Sequence, residues 1–298
     1  MRAELTIGPI LYHWPVDTRR DFYFRLADDP AVDTVYLGET VCSKRLPLFQ
    51  PGIEAIIERL LNADKKVIIS SLAEVIVKRD LEQIRDVCTS YNHMIEVNDS
   101  SALSYLAGKP FAIGPFLNIY NEDSLAYMAG KGAVHTTLPP EMPGKSIAVM
   151  AGCAKNLHIT TEVMVYGRIP LALSARCYHA RAHDRTKDNC QFVCVHDPDG
   201  MNLHTMDNQP LLAINGIQTL SYNCLNLVNE LKAMQAAGVD AFRLSPQSHD
   251  MSGVISLFRD VLDDNVSPDE AASRFEETEH PFPYANGFYH KQPGYKWV

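Results

Sequence analysis

The chain has 298 residues, of which 46% are hydrophobic and 21% charged, and it carries a net charge of −9. This length suits one α/β barrel or two smaller domains. The negative charge, with no basic stretch to offset it, disfavours nonspecific binding to nucleic acid. No run approaches the roughly 18–20 apolar residues of a membrane helix, and the N-terminus is a poor signal peptide. We therefore expect a cytoplasmic protein.

Short apolar runs alternate with amphipathic helices along the chain. The predicted strands cover residues 5–11, 34–38, 66–72, 93–97, 111–119, 133–138, 159–166, 211–220 and 241–244. A helix is predicted from the i, i+3, i+4, i+7, i+8 pattern of Ile53, Ile56, Ile57, Leu60 and Leu61. Further helical stripes begin near Leu227 and Val254.

This alternation predicts βαβ units and a parallel sheet. Eight or so strands favour a single TIM-like (β/α) barrel over residues 1–298, and no complete G-x-G-x-x-G follows a strand. A cysteine-bearing loop at about 174–210 is predicted as an insertion after a late strand. The aromatic tail at about 280–298 is expected to pack on the body or on a partner.

The seven cysteines, an odd number in a reducing compartment, predict metal ligands and core residues rather than disulfides. Cys88, Cys153 and Cys224 fall on apolar or small-residue faces and are assigned to the core.

Four cysteines have polar sequence neighbours instead. Cys177, Cys190 and Cys194 form a C-x12-C-x3-C pattern in the predicted loop, and Cys42 follows a strand end. Because the loops after parallel barrel strands share one face, Cys42 is the predicted fourth ligand.

Four thiolates suit either zinc or an iron–sulfur cluster. The single close pair and the long gap after Cys42 favour a cluster slightly, and both metals stay open at this point. His179 and His183 would replace a cysteine in a zinc site, although contact with solvent or phosphate is the favoured interpretation. Arg176, Arg181 and Arg185 are expected to offset a cluster's negative charge.

Polar residues at predicted strand ends are candidates for substrate contacts at a barrel mouth. The candidates, including Arg176 of the loop, are Glu39, Asn118, Glu162, Arg168, Arg176, Asn215, Gln218, Arg243 and Gln247. A hydrogen-bonded rim is an equally good interpretation of each. No H-E-x-x-H and no G-x-S-x-G occurs, and no catalytic residue is assigned.

The segment from 162 to 177 resembles the signature of the collagenase-like U-type peptidase family. Glu162, Gly167 and Cys177 match the signature, whereas Pro170 replaces its first cysteine and Ala175 a glycine. With YLGETVCSKR, GRIPLALSARC, NGIQT and RLSPQ in order, the chain is similar to the ubiquinone-biosynthesis branch of that family.

This resemblance implies a 4Fe–4S cluster on Cys42, Cys177, Cys190 and Cys194, with Cys42 supplying the missing ligand. It also implies a heterodimer with UbiU, a lipid carrier UbiT, and hydroxylation of the ubiquinone ring without O2. Prephenate, the oxygen donor of relatives that hydroxylate RNA bases, is a plausible donor. The family's peptidase label is not expected to describe a working protease.

The leading hypothesis is the iron–sulfur subunit of an anaerobic ubiquinone-ring hydroxylase. The first alternative is a non-catalytic partner whose cluster stabilises a heterodimer. The second, an RNA base hydroxylase, is weakened by the net charge of −9 and the lack of a basic face.

Overall fold

The computed structural model describes residues 2–278 and 280–298. Its strands are β1 (Glu4–Ile7), β2 (Thr34–Leu37), β3 (Lys66–Ser70), β4 (Met94–Val97), β5 (Phe111–Ile113), β6 (Ala133–Leu138), β7 (Thr160–Leu173), β8 (Met201–His204), β9 (Pro210–Asn215), β10 (Gln218–Asn226), β11 (Ala241–Leu244) and β12 (Tyr284–Ala285). Strands β1 to β7 pair in parallel in chain order, and β11 pairs in parallel with both β7 and β1. These eight strands close a TIM-like (β/α) barrel, which confirms the predicted fold class.

The helices surround this barrel. They are α1 (Val16–Asp28), α2 (Leu46–Phe49), α3 (Ile53–Leu61), α4 (Lys78–Ser90), α5 (Glu122–Gly130), α6 (Gly144–Asn156), α7 (Tyr178–Ala182), α8 (Leu231–Ala236), α9 (Met251–Leu262) and α10 (Pro268–Glu277). In α3 the predicted stripe is buried except for Leu61, which is 46% exposed. Among the described residues, no helix has the length and apolar character that crossing a bilayer requires.

Strand β7 is more than twice as long as its barrel neighbours β6 and β11, and it leads into the cysteine-bearing segment 174–210, which we call the cysteine insertion. Its first half pairs with β6 and β11, and its second half pairs antiparallel with β10. The two halves meet at Gly167, where φ is +115° and a Cβ would lie 2.7 Å from the Cβ of Ser245. Glycine is required there because the strand crosses the loop after β11 too closely for a side chain.

The prediction of a single strand at 211–220 is wrong, because two antiparallel strands cover this segment. Residues 210–226 make the antiparallel hairpin β9–β10, which lies outside the barrel, with Gly216 at φ +67° in a two-residue turn. The stripe near 227 is also shorter than predicted, since Cys224 belongs to β10 rather than to a helix. The predicted loop at 174–210 contains α7 and β8.

The C-terminal tail packs on the body of the molecule. Strand β12 pairs with β10, and Asn286 donates to the buried carboxylate of Glu230 at 2.9 Å. His290 contacts the same carboxylate at 2.7 Å. Trp297 remains 37% exposed at the end of this tail.

Candidate metal centre and barrel-mouth pocket

Cys42 lies in the turn after β2, and a neighbouring carboxylate fixes that turn. Glu39 accepts hydrogen bonds from the backbone N–H groups of Val41 and Cys42, at 3.0 and 2.9 Å. Glu39 is itself buried. This candidate for a substrate contact therefore holds the backbone that presents the Cys42 thiol.

Cys177 immediately precedes α7 and is held by two backbone contacts. Its Sγ accepts from the N–H of Ala180 at 3.4 Å, and its S–H donates to the carbonyl of Gly216 at 3.2 Å. Cys190 and Cys194 follow on two short 3-10 turns that lead the chain back toward α7. The insertion thus folds its three cysteines inward.

The four cysteines meet at one small cavity, which we call the cysteine cavity. It is lined by Cys42, Lys44, Arg45, Cys177, His179, Lys187, Cys190, Phe192, Val193, Cys194 and Gly216. Three of the cysteines are buried, with 7–9% of their surface exposed, and Cys190 is partly exposed. The loops after β2 and β7 thus come together, while the role of the cysteines as metal ligands stays a prediction.

A fully buried cation lies beside these thiols. Arg45 Nη2 donates to Asn215 Oδ1 at 2.6 Å and Nη1 to the carbonyl of Leu11 at 3.3 Å. Its Nε has no partner among the described residues. Asn215 also donates to the carbonyls of Cys194 and Asp197, at 3.3 and 2.8 Å. Asn215, a candidate for a substrate contact, therefore braces the cysteine insertion.

Burial and Arg45 act on the thiols in opposite directions. Burial raises the pKa of the Cys42, Cys177 and Cys194 thiols, and the positive charge of Arg45 opposes that rise. Metals bind the thiolate form, so a bound cation must displace these protons. Arg45 favours the form that a metal requires.

Four thiolates suit an iron–sulfur cluster or zinc, but the four thiols are not drawn together around a single metal ion. Sulfurs that share a tetrahedral zinc lie about 3.8 Å apart, since each is about 2.3 Å from the metal. Within the part of the chain that the structure describes, no three of these sulfurs lie within 4.8 Å of one another. The cavity is about 20 Å³, little more than one water molecule needs. A 4Fe–4S cluster is larger than this cavity, so binding one would require the cysteines to move apart.

The arginines predicted to offset a cluster's charge lie elsewhere. Arg176 and Arg181 are exposed, and neither they nor Arg185 lines the cysteine cavity. Arg176, also a candidate for a substrate contact, lines no part of the barrel-mouth pocket either. The interior position is taken by Arg45, which lies only three residues after Cys42. Arg45 was not predicted from the sequence, although its position three residues after Cys42 could have indicated it.

A second polar cluster crosses the barrel interior near the carboxyl ends of the strands. Arg243 Nη2 lies 2.7 Å from Glu96 Oε1, 2.5 Å from Glu162 Oε2 and 2.8 Å from Thr137 Oγ1. Its guanidinium lies 3.9 Å from the centre of the Tyr36 ring. One buried cation is therefore shared by two buried carboxylates.

The surroundings of Glu162 favour the ionised form of its carboxyl. Burial by itself raises the pKa of its carboxyl, but the charge of Arg243 and hydrogen bonds from His135 and Thr137 hold that pKa well below its usual range. Glu162 is fully buried and lines no part of the pocket above, whereas Arg243 does. Of these two candidates for substrate contacts, only Arg243 reaches the pocket.

Above this cluster lies a cavity of about 250 Å³, which we call the barrel-mouth pocket. Its lining residues are Gly8, Pro9, Leu11, Ala73, Glu74, Glu96, Pro115, Phe116, Asn118, Thr137, Pro140, Glu141, Met164, Pro170, Leu171, Ala172, Leu173, Arg243 and Ser245. Asn118, another candidate, lines it with a left-handed backbone at φ 56°. Glu96 was not among the candidates. It is a polar residue near the end of a predicted apolar strand, which is the same feature that made Glu162 a candidate.

A small apolar cluster connects the barrel-mouth pocket with two of the cysteines. Leu11 and Leu173 line the pocket, and both pack in the small apolar cluster that contains Cys42 and Cys177. Pro170, which stands where the resembled signature has a cysteine, also lines the pocket. Two leucines of the pocket lining therefore pack in the same cluster as two of the four cysteines.

The family model of peptidase family U32 matches residues 24–298. This chain belongs to peptidase family U32. The match covers nearly the whole barrel and the cysteine insertion of this U32 protein. The collagenase-like family that the sequence resembled is thereby confirmed.

Several solved structures resemble this U32 protein at low similarity. The tryptophan synthase complex from Pyrococcus furiosus gives 10% identity and a TM-score of 0.43, covering 93% of this chain and 97% of that chain. A dihydropteroate synthase from Xanthomonas albilineans has 11% sequence identity and a TM-score of 0.45, covering 90% of this chain and 94% of that chain. A phospho-2-dehydro-3-deoxyheptonate aldolase from Thermotoga maritima has 11% sequence identity and a TM-score of 0.44, covering 95% of this chain and 71% of that chain. Similarity at this level carries no information on activity.

Proposed function

We propose that this chain is the iron–sulfur subunit of an O2-independent hydroxylase of the ubiquinone ring. The proposal follows its resemblance to UbiV, the ubiquinone-biosynthesis member of the family, and includes a heterodimer with UbiU. The observation that carries it is the small apolar cluster in which Leu11 and Leu173 of the barrel-mouth pocket pack together with Cys42 and Cys177. A redox centre on the cysteines and a substrate in the pocket would lie on either side of this cluster.

In this proposal Cys42, Cys177, Cys190 and Cys194 hold a 4Fe–4S cluster. The cluster would supply electrons or activate the oxygen donor. Arg45 offsets part of its negative charge from inside the protein, since it is only 2% exposed and its Nε has no partner among the described residues.

The barrel-mouth pocket has the size of a substituted aromatic ring. An apolar cavity of about 150 Å³ holds benzene, and this pocket offers about 250 Å³. Arg243 and Thr137 on its floor provide polar groups for ring oxygens. The isoprenoid tail would remain outside the pocket, where a lipid carrier such as UbiT would hold it.

The charge of the pocket favours a neutral ring over an anion. Among the described residues that line it, three are acidic (Glu74, Glu96 and Glu141) and one, Arg243, is a cation. Prephenate, the expected oxygen donor, carries two carboxylates, so we place it outside this pocket. The same carboxylates disfavour a phosphate backbone, which weakens the RNA base hydroxylase alternative.

Blocking the pocket without disturbing the barrel tests this proposal. Arg243→Ala is unsuitable, because it would leave two buried carboxylates unpaired at a cost of about 3–5 kcal/mol. Ala172 is exposed on the outer half of β7 and lines the pocket. We expect Ala172→Trp to abolish hydroxylation by the anaerobically co-purified heterodimer, because the indole would fill the ring site, while Ala172→Ser stays active.

Iron content and heterodimer yield are measured on the same samples, so that misfolding is distinguished from a blocked pocket. Full activity in Ala172→Trp would contradict a substrate site here. It would support the alternative in which this chain is a non-catalytic partner stabilised by its cluster.

A further inference from the structure

Three potential metal ligands converge beside the cysteine cavity without involving a cysteine. His179 lies in α7, and His183 is the residue directly after α7, four positions along from His179. Asp197 follows the 3-10 turn that carries Cys194. One side-chain atom from each lies within 4.8 Å of the others. The spacing of four residues puts both imidazoles on one side of the turn.

His179 is not the solvent-exposed loop histidine that the sequence favoured. It is fully buried, and its Nδ1 lies 3.2 Å from the carbonyl oxygen of Ile214. A carbonyl only accepts, so Nδ1 must carry the proton of a neutral ring and Nε2 must carry a lone pair. This arrangement is the one in which metal-binding histidines are usually held.

The buried Nε2 of His179 has no hydrogen-bond partner among the described residues. Asp197 Oδ2 lies 3.0 Å away, but not in a direction that makes a hydrogen bond. Both facing atoms are acceptors when the proton is on Nδ1, so they repel each other at this distance. A cation between them would turn that repulsion into two favourable contacts.

We propose that His179, His183 and Asp197 bind one divalent transition-metal ion, at a site separate from the four cysteines. Two ligand atoms about 2.0–2.1 Å from one metal lie about 2.9 Å apart at a right angle and about 3.3 Å apart at the tetrahedral angle. The observed 3.0 Å between His179 Nε2 and Asp197 Oδ2 falls in that range. Two imidazoles and a carboxylate are a ligand set that Zn²⁺ accepts readily.

The site is closed on one side and open on the other. His179 is buried, Asp197 is partly buried and His183 is exposed. The remaining coordination positions would therefore be filled by water. A metal here ties α7, which follows Cys177, to the turn that follows Cys194, and so clamps the two ends of the cysteine insertion.

Zinc titration of the full chain, purified anaerobically, tests this site. We expect one zinc per chain to bind, and His183→Ala and Asp197→Asn each to weaken the affinity about 100-fold or more. His196→Ala is the matched control, because His196 is exposed on the same turn but lies outside the three-residue group. It should bind zinc like the unmodified chain.

Cys42→Ser separates this site from the cysteine cavity. Zinc held by His179, His183 and Asp197 survives that substitution, whereas zinc held by the thiols is lost with it. The proposal is overturned if the unmodified chain binds zinc more weakly than about 0.1 mM. It is also overturned if His183→Ala binds as tightly as the His196→Ala control, or if Cys42→Ser alone removes the zinc. Each result is independent of whether the chain takes part in quinone hydroxylation.

Discussion

At the scale of single residues, Arg45 is the side chain that most affects the cysteine cavity. It is 2% exposed, donates to Asn215 and Leu11, and opposes the rise that burial causes in the pKa of the Cys42 and Cys194 thiols. A buried guanidinium stays charged, so its field acts on whatever occupies the cavity. The properties of a bound cluster should depend on it.

We predict that Arg45→Met lowers the reduction potential of the bound cluster. Reduction adds negative charge, and removing a nearby cation makes that addition less favourable. Arg45→Lys retains the charge and should shift the potential less. Redox titration followed by electron paramagnetic resonance measures both variants. Equal potentials in Arg45→Met and the unmodified protein would contradict this role.

His249 makes stability depend on pH. Burial, together with the nearby His280, lowers the pKa of His249 to about 4, whereas an unfolded chain titrates near 6.5. Between these values the unfolded state binds more protons than the folded state. Stability is therefore fully present above about pH 6.5 and is lost as the pH falls toward 4.

We predict that His249→Phe flattens this part of the pH profile. Phenylalanine fills the same position beside Tyr166, which keeps a hydrogen bond to His280 at 3.0 Å. Urea unfolding at pH 7 and pH 5 should show a smaller loss of unfolding free energy in the variant. An identical loss in the two proteins would show that other groups cause the dependence.

At the scale of elements, the β9–β10 hairpin supports the cysteine insertion. Its turn places the carbonyl of Gly216 against the Cys177 thiol and its backbone against Arg45. Gly216 has φ +67°, and an added Cβ would lie 2.5 Å from Arg45 Nη2. A side chain there is disfavoured both by the backbone conformation and by the close approach.

We predict that Gly216→Ala destabilises the fold by about 1 kcal/mol or more and lowers iron retention by displacing Arg45. Gly152→Ala is the matched control, since Gly152 lies within α6 with nothing near its added Cβ. The control should be stabilised by up to about 1 kcal/mol. Thermal unfolding and iron analysis of both variants check this. Unchanged iron retention in Gly216→Ala would argue against the support role.

The sequence contained the signal for this hairpin. Asn215-Gly216 between apolar runs is a strong indicator of a tight turn, yet the apolar residues on both sides of this pair led to the prediction of one strand over 211–220. The burial of the cysteine side chains could not be inferred from their sequence neighbours either. Cys42 and Cys177 have polar sequence neighbours, yet only 9% of each residue's surface is exposed. Cys153, assigned to the core, is only partly buried.

At the scale of the whole molecule, the barrel determines which loops and side chains can come into contact. The alternation of strands and helices sufficed to predict the closed barrel, and its geometry correctly brings the turn after β2 to the insertion after β7. The floor of the barrel was only partly predictable. Glu162 and Arg243 are each predicted separately from the sequence, but the ion pairs of Arg243 with both Glu162 and Glu96 depend on a register that is set by barrel closure.

The long β7 strand links the two cavities across the molecule. Its outer half lines the barrel-mouth pocket through Pro170 to Leu173 and continues to Cys177. The pocket lining and Cys177 therefore belong to one continuous stretch of chain. The proposed function requires the four cysteines to hold a cluster at this position.

That claim is tested most directly by iron and acid-labile sulfide analysis of the anaerobically purified chain. We predict about four of each per chain, lost on replacing any one of Cys42, Cys177, Cys190 or Cys194 by serine and retained in Cys88→Ser. Cys88 is the control because it is buried in the main core, away from the cavity. A chain without iron and sulfide that binds one zinc through these four cysteines would contradict the account.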